Sequence, residues 1–147
     1  MSVQTFSKTL EPSGSISGKL LDVSVTIPVD LSNNKIPITV TIGSKEGGIN
    51  AGENDTGNDI NNLKLLCYYY SISRRSDKND VVSTVLLDTS IDSVRDTTRQ
   101  LSTLLCKKYR HPCYVAWSSD ASNTNDMFDQ ISIIKTCVQY IHDKIST

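Results

Sequence analysis

His111 and Cys113 are the first residues to weigh for chemistry, because a thiol and an imidazole two positions apart on a strand share a face. Such a couple could form a thiolate nucleophile. The chain offers no third group to orient the imidazole and no oxyanion loop, so the plainer reading is a core cysteine beside a histidine at a helix–strand junction. Ser118 and Ser119 lack the Gly-x-Ser-x-Gly turn of a hydrolase. His111 and His142 are the two histidines, and without clustered carboxylates they make no metal constellation. Tyr68, Tyr69 and Tyr70 could stack on bases. Alternation, however, sets Tyr68 and Tyr70 opposite Tyr69, so at least one side is core, and a net charge of −1 argues against a basic groove for nucleic acid. The residue types point to no catalytic, metal or cofactor site, and the chain reads as a non-enzyme.

Charge is the other source of chemistry. Arg95 and Arg99 lie one helical turn apart beside Asp92 and Asp96, a spacing that gives weak ion pairs on a solvated face. The same spacing presents two guanidinium groups on one strip, able to fork onto carboxylates of a partner. Arg74, Arg75 and Lys78 form a second cluster on a polar turn.

The elements that position these residues follow from periodicity. Ile91, Val94, Thr98, Leu101 and Leu105 recur at steps of three and four, which predicts a helix over residues 88–110. Thr89 and Asp92 have the spacing of a capping box at its start. Lys107, Lys108 and Arg110 suit the negative end of its dipole, and Pro112 stops it at His111. A buried strand follows, with Cys113, Val115 and Trp117 on one face and Tyr114 and Ala116 on the other. Upstream, residues 3–9 make a first strand. Leu21, Val23, Val25 and Ile27, then Ile36, Ile38, Val40 and Ile42, alternate as an antiparallel hairpin turned at residues 30–34. Pro28 and Pro37 belong at strand ends or an edge. Residues 63–72 and 81–87 are further strands, the latter apolar enough to be expected under cover on both faces. A second helix carries Met127, Ile131, Ile134, Val138, Ile141 and Ile145, widened by Cys137 and Tyr140. Residues 43–62, with five glycines and few apolar side chains, read as a flexible loop.

The expected fold is therefore a single α+β domain over residues 1–147: a six-stranded, mostly antiparallel sheet packed with two helices, in the order βββββαβα. Cys67, Cys106, Cys113 and Cys137 include no Cys-x-x-Cys pair and sit among apolar neighbours, as reduced core thiols do. The first residues lack the basic and apolar regions of a signal peptide, and no apolar run is long enough to span a bilayer. The expected location is cytoplasmic or nuclear.

Five segments carry a resemblance: Lys35-Ile36-Pro37-Ile38, Cys67-Tyr68-Tyr69-Tyr70, Leu86-Leu87-Asp88, Val94-Arg95-Asp96 with Arg99, and Arg110 through Ser119, where Pro112-Cys113-Tyr114-Val115-x-Trp117-Ser118-Ser119 is the most specific. In order and spacing they resemble the fungal proteasome assembly chaperone 3/4 family. The resemblance implies the sheet and helices just counted, and a heterodimer of two similarly folded chaperones. That heterodimer would bind a proteasome alpha-type subunit during alpha-ring assembly and then dissociate, with no catalysis and no cofactor. His111 stands where the family motif has Arg, so a partner contact there would lack a permanent charge. The expected partner-binding residues are Arg74, Arg75, Arg95, Arg99, Arg110, His111, Ser118 and Ser119. The competing classes are another small interaction scaffold, such as a trafficking or GTPase-regulating subunit, and a thiol enzyme built on Cys113.

Overall fold

Strict alternation along several strands and one apolar face on each helix produce a sheet covered on one side. The computed structural model describes residues 2–11, 19–46, 63–77, 79–120 and 130–146. The chain runs β1 (Val3–Leu10), β2 (Lys19–Pro28), β3 (Ile38–Glu46), β4 (Leu63–Ser73), β5 (Val81–Leu87), α1 (Asp92–Tyr109), β6 (Cys113–Asp120) and α2 (Gln130–Ile145). The strands form one sheet in the order β1-β2-β3-β6-β4-β5. Neighbours are antiparallel except β3 and β6, which run parallel. The α+β architecture and the element order expected from the pattern hold.

The core lies between the sheet and the helices. Val23 and Val25, Val40 and Ile42, Cys67 and Tyr69, and Val115 and Trp117 point into one cluster with Val94, Leu101 and Leu105 of α1 and Cys137 and Ile141 of α2. Helix α1 lies across β4, β6 and β5, and α2 packs on α1 and β2. Toward the β5 edge the α1 contact is made of hydroxyls. Ser71 donates to Ser102 at 2.8 Å, Ser71 and Ser83 share a hydrogen bond of 2.8 Å, and Ser83 and Thr103 one of 2.7 Å. Linked hydroxyls satisfy one another there, where an unpaired one would cost about 1–3 kcal/mol. Tyr109 closes the helix pair through its hydroxyl on His142 Nδ1 at 3.1 Å.

Four expectations are corrected. Strand β5 is not covered on both faces: it is the sheet edge, and Val85, Leu86 and Leu87 are exposed, Leu86 by 55%. An apolar run has the same composition at an edge as in a core, and pairing order decides between them. The capping box does not form. Helix α1 begins after Ile91, which has no side-chain cap, and the Thr89 hydroxyl instead accepts the Ile91 N–H at 3.3 Å. The expected loop at 43–62 begins later, because residues 43–46 continue β3, Gly43 and Ser44 between β2 and β6 and Lys45 and Glu46 along β2. Ladder pairing overrides their weak strand propensity; residues 47–62 lie outside the described residues, as do Lys78 and Met127. In α2 the buried face centres on Cys137 and Ile141, leaving Ile131 exposed. At 100° per residue, Ile131 sits about 120° round the helix from Cys137.

Candidate interaction site

The sheet face turned away from the helices carries the first cluster. The register that sends Tyr69 inward turns Tyr68 and Tyr70 outward, and pairing of β4 with β6 brings Tyr114 between them. The Tyr70 and Tyr114 rings stack with centroids 4.5 Å apart, and Tyr68 meets Tyr114 edge-on at 6.0 Å. Partial burial raises the hydroxyl pKa of Tyr68 and Tyr70 above the usual tyrosine value, with Tyr114 adding to the shift. Ile72 and Leu87 are exposed beside this patch. The β1–β2 half of the sheet is polar, with cross-strand Thr5–Thr26, Ser7–Ser24 and Thr9–Asp22 hydrogen bonds.

At one end of the sheet the β2–β3, β4–β5 and α1–β6 connections meet around an open groove of about 810 Å3. Arg74, Arg75, Arg110 and His111, dispersed in the sequence, all line it, with Lys35, Tyr70, Ile72 and Pro112. Arg74 Nε pairs with Asp80 at 3.1 Å, and Arg110 Nη2 donates to Asn79 Oδ1 at 3.0 Å. Arg110 caps α1 in the left-handed conformation (φ 61°), its N–H on the Cys106 carbonyl. His111 is only 3% exposed; its Nδ1 lies 2.9 Å from the Ile36 carbonyl and its Nε2 3.0 Å from the Leu31 carbonyl. The imidazole thus fastens the β2–β3 connection to the sheet.

The remaining candidates lie elsewhere. Arg95 is committed to its own chain: Nε donates to Asp88 at 2.8 Å, Nη1 to Asp92 at 3.3 Å and Nη2 to the Thr89 carbonyl, which ties the β5–α1 connection to the helix start. The Arg95 hydrogen bond, then the Thr89 N–H, hold the Asp88 carboxyl below its ordinary pKa. Arg99 is more exposed and only loosely paired, 3.6 Å from Asp96. Ser118 is half-buried and Ser119 buried near the far end of β6, with Ser118 about 17 Å from Cys113 along the strand. No Cys–His couple forms, because both His111 ring nitrogens face carbonyls. Cys113 is fully buried, and that burial raises its thiol pKa, the opposite of an activated nucleophile. Among the described residues no group of His, Cys, Asp and Glu is placed to hold a metal ion.

Sequence reasoning left Tyr114 and Lys35 out of the candidate partner-binding residues. Alternation assigns Tyr114 the face opposite Val115, but the β4–β6 pairing that sets it between Tyr68 and Tyr70 is not written in either strand.

The comparisons with known proteins agree with this architecture. The family model for 20S proteasome chaperone assembly proteins 3 and 4 matches residues 1–142. Proteasome chaperone 4 of Saccharomyces cerevisiae is 32% identical over 156 aligned residues, spanning 99% of each chain. A chain in the crystal structure of a chaperone complex for yeast 20S proteasome assembly matches with a TM-score of 0.65 at 31% identity, covering 99% of this chain and 94% of that one. A family match over nearly the whole length, on the same fold, places the chain: it belongs to the family of 20S proteasome chaperone assembly proteins 3 and 4.

Proposed function

We propose that this chain is one half of a heterodimeric assembly chaperone for the proteasome core particle. With a related chaperone it binds an alpha-type subunit, promotes correct alpha-ring assembly and then dissociates in the cytoplasm or nucleus. The observation that carries the reading is the uncovered sheet face. Tyr68, Tyr70 and Tyr114, half-buried, adjoin the exposed Ile72 and Leu87 on one face, and contiguous apolar surface of this kind marks protein contacts. Aromatic anchors with a polar surround are the usual core of a protein interface. We assign this face to the sister chaperone, which leaves the sheet end and the β5 edge for other contacts.

Co-expression with the sister chaperone tests this directly. Tyr70→Lys with Tyr114→Lys places like charges at the centre of the face. The expected result is a chain that keeps its circular dichroism spectrum and elutes without its partner. A heterodimer that survives both substitutions would move the sister to another surface. Mass spectrometry of what co-purifies with the wild-type heterodimer tests the second half, and a complex that never contains an alpha-type subunit would refute capture.

A further inference from the structure

The groove at the sheet end borders the open face, shares Tyr70 and Ile72 with it, and adds a basic chemistry that the covering of that face does not use. Beyond those two residues its lining includes Pro112 and the basic side chains of Lys35, Arg75 and Arg110. Its volume of about 810 Å3 falls within the roughly 300–1,000 Å3 of sites that enclose small ligands. Of the acids nearby, Asp80 pairs with Arg74, and Asp77, which accepts the Asn79 backbone N–H at 2.9 Å and keeps its charge, is outnumbered by Lys35, Arg75 and Arg110. Neither Lys35 nor Arg75 makes an ion pair among the described residues. A chain of net charge −1 therefore carries a local surplus of positive charge that faces open space.

We propose that this groove is a binding site for an acidic, extended peptide segment carried by the alpha-type subunit; the inference rests on the reading of capture above. Carboxylates of the segment would meet Arg75, Arg110 and Lys35, none of which belongs to the face assigned to the sister chaperone. Two features pre-form the site. His111, bridging the Leu31 and Ile36 carbonyls, holds the connection that presents Lys35. Arg110 occupies a left-handed conformation where glycine would be less strained. Strain retained at one residue points to a use for its side chain, and here that side chain is a guanidinium at the groove rim. Charge at such a contact sets orientation and encounter rate and is weakened by salt, which suits a chaperone that must later leave.

The test uses the purified heterodimer and two readouts: co-purification of the alpha-type subunit, and fluorescence anisotropy with a labelled ten-residue peptide of alternating Glu and Ser. Lys35→Glu with Arg75→Glu should leave the heterodimer intact and weaken both readouts tenfold or more. Arg110→Gly should fold at least as well as wild type, because it relieves the left-handed residue, and should still weaken peptide binding. Lys8→Glu with Lys64→Glu makes the same charge change away from the groove and should alter neither readout by more than twofold. Peptide binding and capture undiminished in the groove variants would overturn the groove while leaving capture standing. A wild-type heterodimer that captures no alpha-type subunit would overturn capture itself. Equal binding of a ten-residue peptide of alternating Lys and Ser, or of a dT oligonucleotide, would overturn the assignment of an acidic peptide.

Discussion

Truncating Trp117 should remove a large part of the stability of this fold. Trp117 is 1% exposed and heads the largest fully buried side chains. It lies in register between Ile42 of β3 and Cys67 of β4, both inaccessible to solvent, on the face that α1 covers. A buried tryptophan removes about 150–250 Å2 from water, worth about 4–6 kcal/mol at 25 cal/mol per Å2. Denatured chains already bury some of that surface, which brings the loss in Trp117→Ala to about 3–5 kcal/mol. The strands on both sides are fixed by their ladders, so neighbouring residues have little freedom to refill the space. Against a total of about 5–15 kcal/mol the variant is left marginal. Urea unfolding followed by far-UV circular dichroism is the suitable assay, since the substitution removes the only tryptophan. With a slope of about 2 kcal/mol/M, the midpoint should fall by about 2 M. Trp117→Phe, which keeps a ring in place, should lose clearly less. An alanine variant with an unchanged midpoint would refute the placement of the ring in the core.

Three further outcomes follow from single contacts. Burial pushes the Cys137 thiol up to about 12 and raises Cys113 as well, so both stay protonated in the folded chain while unfolded thiols ionise near pH 8.5. Their contribution to stability is present below about pH 8.5 and lost as pH rises toward the folded values; urea midpoints at pH 7.5 and 10 should show the fall, and native-state alkylation at pH 8 as fast as in urea would contradict it. Asp88 works in the opposite sense. Its pKa is depressed by Arg95, so its contribution is present above the ordinary carboxylate range and lost as pH falls through the folded value; Asp88→Asn should be less stable than wild type at pH 7 and indistinguishable from it at pH 2, and equal midpoints at pH 7 would remove the Arg95 tether from the argument. His111→Ala leaves the Leu31 and Ile36 carbonyls without their imidazole and should cost about 2–3 kcal/mol, with faster proteolysis at residues 31–36; resistance equal to wild type would show that the connection holds without the ring.

The sequence by itself determined what short-range periodicity can express. Alternation in β2, β3 and β6 separated core from surface residue by residue, so that Val23, Val115 and Trp117 were inward and Tyr114 outward before any pairing was known. The heptad-like steps in α1 marked Val94, Thr98, Leu101 and Leu105 correctly, and the bar that Pro112 sets against further helix ended it at the right place. The full motif from Arg110 to Ser119 carried the family. What only the tertiary structure decided was adjacency across the chain. Nothing local distinguishes an edge strand from a central one, so Val85, Leu86 and Leu87 read as core until the order β4-β5 left them at the rim. Likewise Lys35, Arg75 and Arg110 come from three separate connections, and Arg95 was grouped with Arg99 by spacing although its hydrogen bonds bind it to Asp88 and Thr89. Side-chain direction is fixed by the backbone within a few residues, whereas the meeting of distant residues depends on which strands pair, and that is settled by the packing energy of the whole sheet.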